Sequence, residues 1–465
     1  MSDTARLHAP RPLVPVLLGA YAAAVALAPK SAISLLLAAP LAAIPLAWWA
    51  MLNHARWLPL FFIAALLLPP LPLGLGNSGP HPSVMFALLG LLAGLLSWRE
   101  WRVRPGPLNR ALGIFFLILL ASVAEAAFYS GARVAVGSLT RVLLFGISVY
   151  VFFFAAYGPN SGYALRHVRL LYWAAVIAAL FACVDFYFQF PAPAGFGEQF
   201  IWLRSGVFRR AQGLFYEAST LGNFCAFFLV MITAALFVPR GESPVSRRAL
   251  LPGGIIFAAA LALSYSRGSL LNALVALTAL AWLHRDRVRW GRVLPIAAGA
   301  LATSILALRA LLPAFTGAYF MRVATSVQYA FAETEGLLSG RVASWRAVLG
   351  FLAQHPWHAL FGIGYKTLPY SDYLGRTVIT DNMYLSLLAE TGIVGLAGLF
   401  WLCIEILRAA RRAAVSPDPR RRFFGSWIFA FWAGQMVQML TGDLLTYWRV
   451  MPLYLWVLAA AVRDE

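Results

Sequence analysis

The residues with the clearest chemical potential are arginines placed at the edges of apolar runs. Arg267 stands in the segment 264–269, which reads SYSRGS, with an apolar run on either side. Arg210 and Arg341 lie at the edges of comparable runs. A planar guanidinium donates two parallel hydrogen bonds to phosphate, so two or three converging arginines would bind a pyrophosphate. The plainer alternative pairs Arg267 with an acid such as Glu217 or Asp381, or with lipid head groups.

Two carboxylates are candidates for a general base. Asp381 directly precedes Asn382 at the start of an apolar run, and Glu217 follows the Arg210 segment. A carboxylate so placed can accept the proton of an attacking hydroxyl. Each has an alternative: Asp381 could cap the helix or pair with an arginine, and Glu217 could pair with Arg210. Tyr384 could contact a sugar or simply pack.

The sequence lacks the residues that several other kinds of chemistry require. The chain has no Walker loop and no Gly-x-Ser-x-Gly elbow. His355 and His358 are separated by Pro356, and no His or Cys cluster has metal spacing. We therefore expect no metal and no other cofactor.

Composition excludes a soluble enzyme. The 465 residues are 61% hydrophobic and 12% charged, whereas an ordinary soluble domain carries about 25% charged residues. The net charge of +19 comes almost wholly from arginine, since lysine occurs only at Lys30 and Lys366. Cytoplasmic loops of membrane proteins collect such residues, so the charge does not indicate nucleic acid. The composition predicts a polytopic protein of the lipid bilayer.

The apolar runs predict an all-α bundle of about 12–14 transmembrane helices forming one domain, residues 1–465. The candidate spans are 13–28, 32–51, 57–75, 83–98, 111–129, 140–157, 168–190, 218–238, 249–265, 269–283, 293–312, 382–407, 424–440 and 445–462.

Arginine-rich loops predict that both termini lie in the cytoplasm. Two long loops then fall on the outer side, at 191–217 and 313–380. Within the second, apolar residues at helical spacing predict an amphipathic helix that begins near Ser339 and Gly340 and stops before His355.

Three stretches give the chain a likeness to a known family. The first, 210–215, reads RAQGLF, and the second is the segment 264–269. The third runs from Ser339 to Gly395 and contains SGR, FGIG at 361–364, DNMYL at 381–385 and ETGIVG at 390–395. In order and spacing these stretches resemble the O-antigen ligase and O-antigen polymerase superfamily of bacterial envelope enzymes.

The resemblance implies a metal-independent, inverting glycosyltransferase of the membrane-embedded GT-C type in the bacterial inner membrane. Such an enzyme moves a glycan from undecaprenyl pyrophosphate to an acceptor hydroxyl at the periplasmic face. By resemblance, Arg210 and Arg267 bind the donor pyrophosphate, and Arg341 contacts phosphate or sugar. Asn382 and Tyr384 belong to the same candidate binding set.

One position departs from the family pattern. Many members, including the ligases, carry a His-Asn pair where this chain has Asp381 and Asn382. The departure favours a polysaccharide polymerase that extends an acceptor glycan, with chain-length or envelope-assembly proteins as possible partners. The alternatives are an O-antigen ligase acting on lipid A-core, a transporter of an anion or lipid-linked sugar, and a non-catalytic scaffold.

Overall fold

A computed structural model describes residues 44–71, 80–159, 167–191, 199–203, 206–215, 217–239, 243–286 and 341–463, with a few isolated positions besides. These residues form a bundle of apolar helices with one short β-hairpin, and the predicted polytopic α-helical membrane fold is confirmed. The predicted span 293–312 and most of 13–28 and 32–51 lie outside the described residues, as do most of 313–340.

The elements follow one another in a simple order. They are α1 (Trp57–Leu67), α2 (Pro82–Leu96), α3 (Pro107–Tyr157), α4 (Val168–Phe188), β1 (Phe200–Leu203), β2 (Gly206–Arg209), α5 (Ala218–Leu236), α6 (Arg247–Leu263), α7 (Arg267–Leu283), α8 (Arg341–Gln354), α9 (Pro356–Phe361), α10 (Met383–Ala414), α11 (Pro419–Gln438) and α12 (Met451–Val462). In the described part of the chain, α3, α4, α5 and α10 are long and apolar enough to cross a membrane.

Helix α3 is a hairpin of two antiparallel arms. Gly131 interrupts it with φ +81°, a left-handed conformation that glycine adopts readily. The ring of Phe115 then meets that of Phe145, with centroids 5.8 Å apart, and Asn109 donates to the hydroxyl of Tyr157 at 2.8 Å. These contacts require the chain to reverse at Gly131. The two apolar runs predicted at 111–129 and 140–157 are therefore separate helical arms.

Helix α10 reverses in the same way at Gly392, where φ is +67°. The ring of Tyr384 stacks on that of Phe400 with centroids 5.2 Å apart, so the short arm 383–391 folds back along the long arm 393–414. At 1.5 Å per residue the long arm extends roughly 33 Å, enough to cross the hydrocarbon core. Its far end carries Arg411 and Arg412.

The turn at Gly392 lies against a second glycine turn. Gly362 has φ +85° and sits on the backbone of Glu390, while Gly392 sits on the backbone of Leu360. A Cβ atom at either position would collide with the facing main chain. The FGIG and ETGIVG stretches are thus the two sides of one close backbone crossing.

Helix α12 occupies the centre of the bundle. Every residue from Met451 to Ala461 is buried, and its aromatic side chains meet several helices. Tyr454 contacts Phe227 of α5 at 4.5 Å between centroids, and Trp456 contacts Phe62 of α1 at 5.8 Å. A helix that is apolar on all sides is expected only in such an interior position.

The outer-loop predictions have mixed outcomes. The amphipathic helix predicted to begin near Ser339 and to stop before His355 is present as α8, Arg341–Gln354. The loop 191–217 contains an antiparallel hairpin, in which Phe200 pairs with Arg209 and Leu203 with Gly206. Strands this short carry too little alternation for the sequence to predict them.

We expect Gly392→Ala to lower the free energy of unfolding by about 1–3 kcal/mol, because alanine would be strained at positive φ and would collide with Leu360. Thermal unfolding in detergent measures the change. Gly350→Ala in α8 is the matched control, since nothing lies within 4 Å of its added methyl group. Equal unfolding midpoints for the two variants would contradict the role of the crossing.

Candidate functional site

The candidate residues gather at one end of the bundle, where several helices begin or end. We call it the site end: α5, α7 and the short arm of α10 begin there, and α6 and α11 finish there. The backbone N–H of Ala211 donates to Leu263 at the end of α6, and that of Met383 donates to Met439 after α11. Gly268 lies against Thr441. Three helix N-termini therefore face one region, and their partial positive charge favours anions.

Arg210 is fixed between the hairpin and the end of α6. Its backbone N–H donates to the Gln199 carbonyl at 2.8 Å, and its Nε donates to the Ser264 carbonyl at 2.8 Å. The side chain is half-buried. Through Ser264 it is tied directly to the SYSRGS segment, so the first two sequence motifs meet in space.

Arg267 is the first residue of α7. Ser266 caps that helix by accepting a hydrogen bond from the backbone N–H of Ser269 at 3.3 Å. Arg341, the first residue of α8, lies close enough to act electrostatically on Arg267. Two nearby positive charges repel each other unless an anion lies between them. The arrangement therefore favours binding of a group with more than one negative charge.

Asp381 is the ion-pair partner of Arg341. Its Oδ2 lies 3.1 Å from the arginine Nε, and about half of its side chain, 49%, is exposed. Its backbone is left-handed, with φ +46°. The cap of the helix is Asn382, whose side chain accepts from the backbone N–H of Leu385 at 3.1 Å. Of the roles considered for Asp381, the geometry supports that of charge partner to Arg341. The helix is capped by the neighbouring Asn382.

Glu217 directly precedes α5 and is held in place by Ser219, whose hydroxyl donates to Oε2 at 3.0 Å. Burial raises the pKa of its carboxyl group; Ser219 and Lys366 lower it, and Asp381 and Asp443 raise it again. The net shift is upward. A carboxylate with a raised pKa is a stronger base than an exposed one.

Tyr384 is engaged with the protein. Its hydroxyl donates to the Met436 carbonyl at 2.8 Å, and its ring lies flat on Phe400. It joins the short arm of α10 to α11 and to the long arm. This placement explains why an aromatic residue follows the Asp381–Asn382 pair, independently of any sugar contact.

Asp443 and Arg449 lie on either side of the short turn before α12 and have different partners. Asp443 forms a buried ion pair with Lys366. Arg449 donates to the backbone carbonyls of Ala65, Leu68 and Leu214. Ala65 and Leu68 lie at the end of α1, where carbonyls have no partner within the helix, and Leu214 lies in the loop before α5. Arg449 is therefore satisfied by backbone carbonyls and needs no carboxylate.

A network of amide side chains lies beneath the site and was not predicted. Asn223 and Asn272 each donate to both Gln435 and Gln438, at 2.7–3.1 Å. Gln438 donates in turn to Ser269 at 3.1 Å, one turn or less from Arg267. All of these side chains are buried. Amides isolated within apolar runs were the signal that could have revealed them.

Asp185 and His358 have structural partners at this end. Asp185 is paired with Arg209, with both side chains buried and 2.9 Å between the charged atoms. His358 lies between the Gly362 carbonyl and the Tyr373 hydroxyl. In the described part of the chain, no group of three or more His, Cys, Asp or Glu residues could hold a metal ion.

Comparison with known proteins finds a family that part of the chain resembles. Residues 252–400 match the family model described as O-antigen ligase. This segment, about a third of the chain, is similar to the O-antigen ligase family. It contains Arg267, Arg341 and Asp381, whereas Arg210 and Glu217 precede it and join it through the contacts described above. A comparison with curated proteins gave no match. The family supports an O-antigen ligase or polymerase type of glycosyltransferase embedded in a membrane.

We expect Gln438→Leu to lower the free energy of unfolding by about 1–3 kcal/mol, because it removes one acceptor from two buried amides and the donor to Ser269. Thermal unfolding in detergent provides the measurement. Thr278→Val, an exposed residue of α7 whose hydroxyl bonds only within its own helix, is the control. A Gln438→Leu protein as stable as the control would contradict the proposed importance of the network.

Proposed function

We propose that the protein transfers a glycan from undecaprenyl pyrophosphate to an acceptor hydroxyl at the periplasmic face of the bacterial inner membrane. The observation that carries the proposal is that Arg210, Arg267 and Arg341 lie at the same end of an apolar bundle as the carboxyl group of Glu217. Cations for a leaving group and a base for a nucleophile are the two requirements of such a transfer.

The arginines would hold the donor pyrophosphate. Arg210 is anchored at Ser264, three residues before Arg267, and Arg341 acts on Arg267. A pyrophosphate between them would remove the repulsion of the two guanidinium groups and would also meet the N-terminus of α7. The prenyl tail of such a donor belongs in hydrocarbon, and the apolar helices that begin at the site provide that environment.

Positive charge would also stabilise the pyrophosphate as it leaves the donor sugar. As the acceptor oxygen bonds to C1 of the donor sugar, the bond from C1 to the pyrophosphate oxygen breaks and its electron pair passes to the pyrophosphate. Fixed arginines stabilise the charge that develops there, so in this proposal no metal ion takes part. A single displacement of this kind inverts the anomeric carbon.

Glu217 is the better placed of the two candidate bases. Asp381 is half-exposed and its Oδ2 is occupied by Arg341. Glu217 is less exposed, and the pKa of its carboxyl group is raised above the ordinary value. In this proposal Glu217 takes the proton of the acceptor hydroxyl, and Asp381 orients Arg341 toward the donor.

The acceptor in this proposal is a growing polysaccharide, which makes the protein a polymerase. Its support is Asp381, which stands where the ligases resembled by this chain carry histidine. A ligase would use lipid A-core as the acceptor. Chain-length or assembly proteins would act on the polymerase as partners.

We expect Arg210→Ala and Arg267→Ala each to abolish glycan transfer by purified protein, because each removes a guanidinium from the donor pyrophosphate site. The assay supplies the host's undecaprenyl-pyrophosphate-linked glycan, with and without lipid A-core, and resolves products on a gel. The wild type should form a ladder without lipid A-core. A single shifted band that requires lipid A-core would indicate the ligase.

The control for the arginine variants is Arg408→Ala at the opposite end of the bundle, whose side chain is 67% exposed. It should retain wild-type transfer. Unfolding midpoints must match across the set, so that lost transfer is not lost folding. Full transfer by an Arg210→Ala, Arg267→Ala double variant would overturn the proposal.

We expect Glu217→Gln to slow transfer by roughly 100- to 10,000-fold, the usual contribution of a general base. In the wild type the rate should fall as pH drops through the raised pKa of Glu217, because only the deprotonated carboxylate accepts a proton. The glutamine variant should lose that acid limb. A pH–rate profile of kcat measures both effects.

Asp381→Asn is the matched comparison for the base. It should raise the KM for the donor, because Arg341 loses its orienting partner, and it should retain the acid limb. The reverse outcome, with the limb lost in Asp381→Asn and kept in Glu217→Gln, would assign the base to Asp381 instead.

A further inference from the structure

Helix α8 turns one face toward the rest of the protein. Positions 341, 345, 348 and 352 follow helical spacing and lie on the same side. Val348 and Leu352 are buried in a small apolar cluster with residues that precede α10 or belong to its short arm. Arg341 begins the helix, so Trp345 stands between the arginine and the apolar residues that anchor α8.

The indole of Trp345 bonds to the backbone next to Asp381. Its Nε1–H donates to the carbonyl of Thr380 at 2.7 Å, and the residue is half-buried. One turn earlier on α8, the Nε of Arg341 donates to Oδ2 of Asp381 at 3.1 Å. Two residues one turn apart on α8 therefore bind two consecutive residues just before α10.

Thr380 is also held from the α10 side. It is buried, and its hydroxyl donates to the Asn382 carbonyl at 3.2 Å and contacts the Ser386 hydroxyl. The side chain thus attaches Thr380 to the first turn of α10, while the carbonyl attaches it to Trp345. Thr380 therefore joins the start of α10 to α8.

The ion pair of Arg341 and Asp381 is too exposed to hold this end of α8 alone. Their side chains are 24% and 49% exposed, and so exposed a pair contributes little to stability, because water screens it. Asp381 also has a left-handed backbone, with φ +46°, which its neighbours must maintain. The Trp345 hydrogen bond fixes Thr380 on one side of it, and the helix cap fixes Asn382 on the other.

We propose that Trp345 is a positioning residue for Arg341, and that its indole N–H keeps Arg341 and Asp381 aligned with the donor pyrophosphate. The inference rests on the proposed place of Arg341 in the donor site. Trp345 acts through the Thr380 carbonyl and does not touch the donor. Since it supports an interaction that the bound donor already makes, its loss should appear in the KM for the donor and leave kcat nearly unchanged.

The first test is Trp345→Phe, which keeps an aromatic ring and removes the N–H donor. It should raise the KM for the undecaprenyl-pyrophosphate-linked glycan by roughly 3- to 10-fold, the usual effect of one hydrogen bond, with kcat close to that of the wild type. Initial rates at varied donor concentration measure both constants. Trp357→Phe in α9 is the matched control: that ring is 64% exposed, and the same exchange there should leave KM unchanged.

A double-mutant cycle separates positioning from direct contact with the donor. The dissociation constant of undecaprenyl pyrophosphate is measured in detergent for the wild type, Trp345→Phe, Arg341→Ala and the double variant, so that no variant needs to turn over. Trp345→Phe should weaken binding by the wild type and change little in Arg341→Ala, because the group that it positions is then absent. An equal loss in both backgrounds would mean that the ring itself touches the donor, and would overturn the proposal.

Thr380→Val tests the same connection from the α10 side. It removes the hydroxyl that contacts Asn382 and Ser386, so it should also raise the KM for the donor, and it keeps the proposal testable should Trp345→Phe fail to fold. Unfolding midpoints are recorded for every variant. A tryptophan that only supports the fold would lower the midpoint and kcat without raising KM, and that result would also overturn the proposal.

The outcomes are distinct from those of the proposed function. An Arg341→Ala protein that binds the donor as tightly as the wild type would remove Arg341 from the donor site, and with it the basis of this inference. Weakened binding in Arg341→Ala, together with a wild-type KM in Trp345→Phe and Thr380→Val, would keep Arg341 in the site and reject only the role of Trp345.

Discussion

Four buried amides, Asn223, Asn272, Gln435 and Gln438, determine how the helices of this protein stand relative to one another. Apolar packing alone allows helices in hydrocarbon to slide, since lipid and leucine are nearly equivalent neighbours. Hydrogen-bonded amides prevent such sliding, because a displaced helix would leave polar atoms without partners where no water can replace them. The amides therefore fix the levels at which α5 and α7 begin beside the end of α11.

The charges of the site depend on that alignment. Arg267 begins α7, and Glu217 directly precedes α5, so a shift of one turn in either helix would move one of these residues relative to the other by about 5 Å. The backbone crossing at Gly362 and Gly392 fixes the position of α10 in the same way. It brings Asp381 and Lys366, which both precede α10 in the sequence, to the same end of the bundle.

The sequence predicted those features that depend on local composition. Apolar runs gave the helices, including both arms of the Gly131 hairpin, and family motifs indicated Arg210, Arg267 and Arg341. The runs could not reveal reversal at Gly392, because the predicted span 382–407 is apolar on both sides of it. The partner of Asp443 was missed for a related reason. Lys366 lies 77 positions away, and only the folded chain brings the two together.

Hydropathy also hid the amide network, because a single polar residue scarcely lowers the average of an apolar run. The cap of α10 is Asn382 and not Asp381, the cap considered from the sequence. Adjacent Asp and Asn residues are equally good helix caps, and the choice between them follows from backbone conformation. The left-handed backbone of Asp381 leaves the cap to its neighbour and directs its own carboxylate to Arg341.

The central position of α12 has a consequence for how the protein is made. A ribosome completes α12 after the other described helices, so the walls of the bundle enter the membrane before its centre exists. Until then Phe62 lacks Trp456, Phe227 lacks the ring of Tyr454, and Asn223 lacks the Tyr454 hydroxyl that donates to it at 2.6 Å. The arrival of α12 therefore completes the packing at the centre of the bundle.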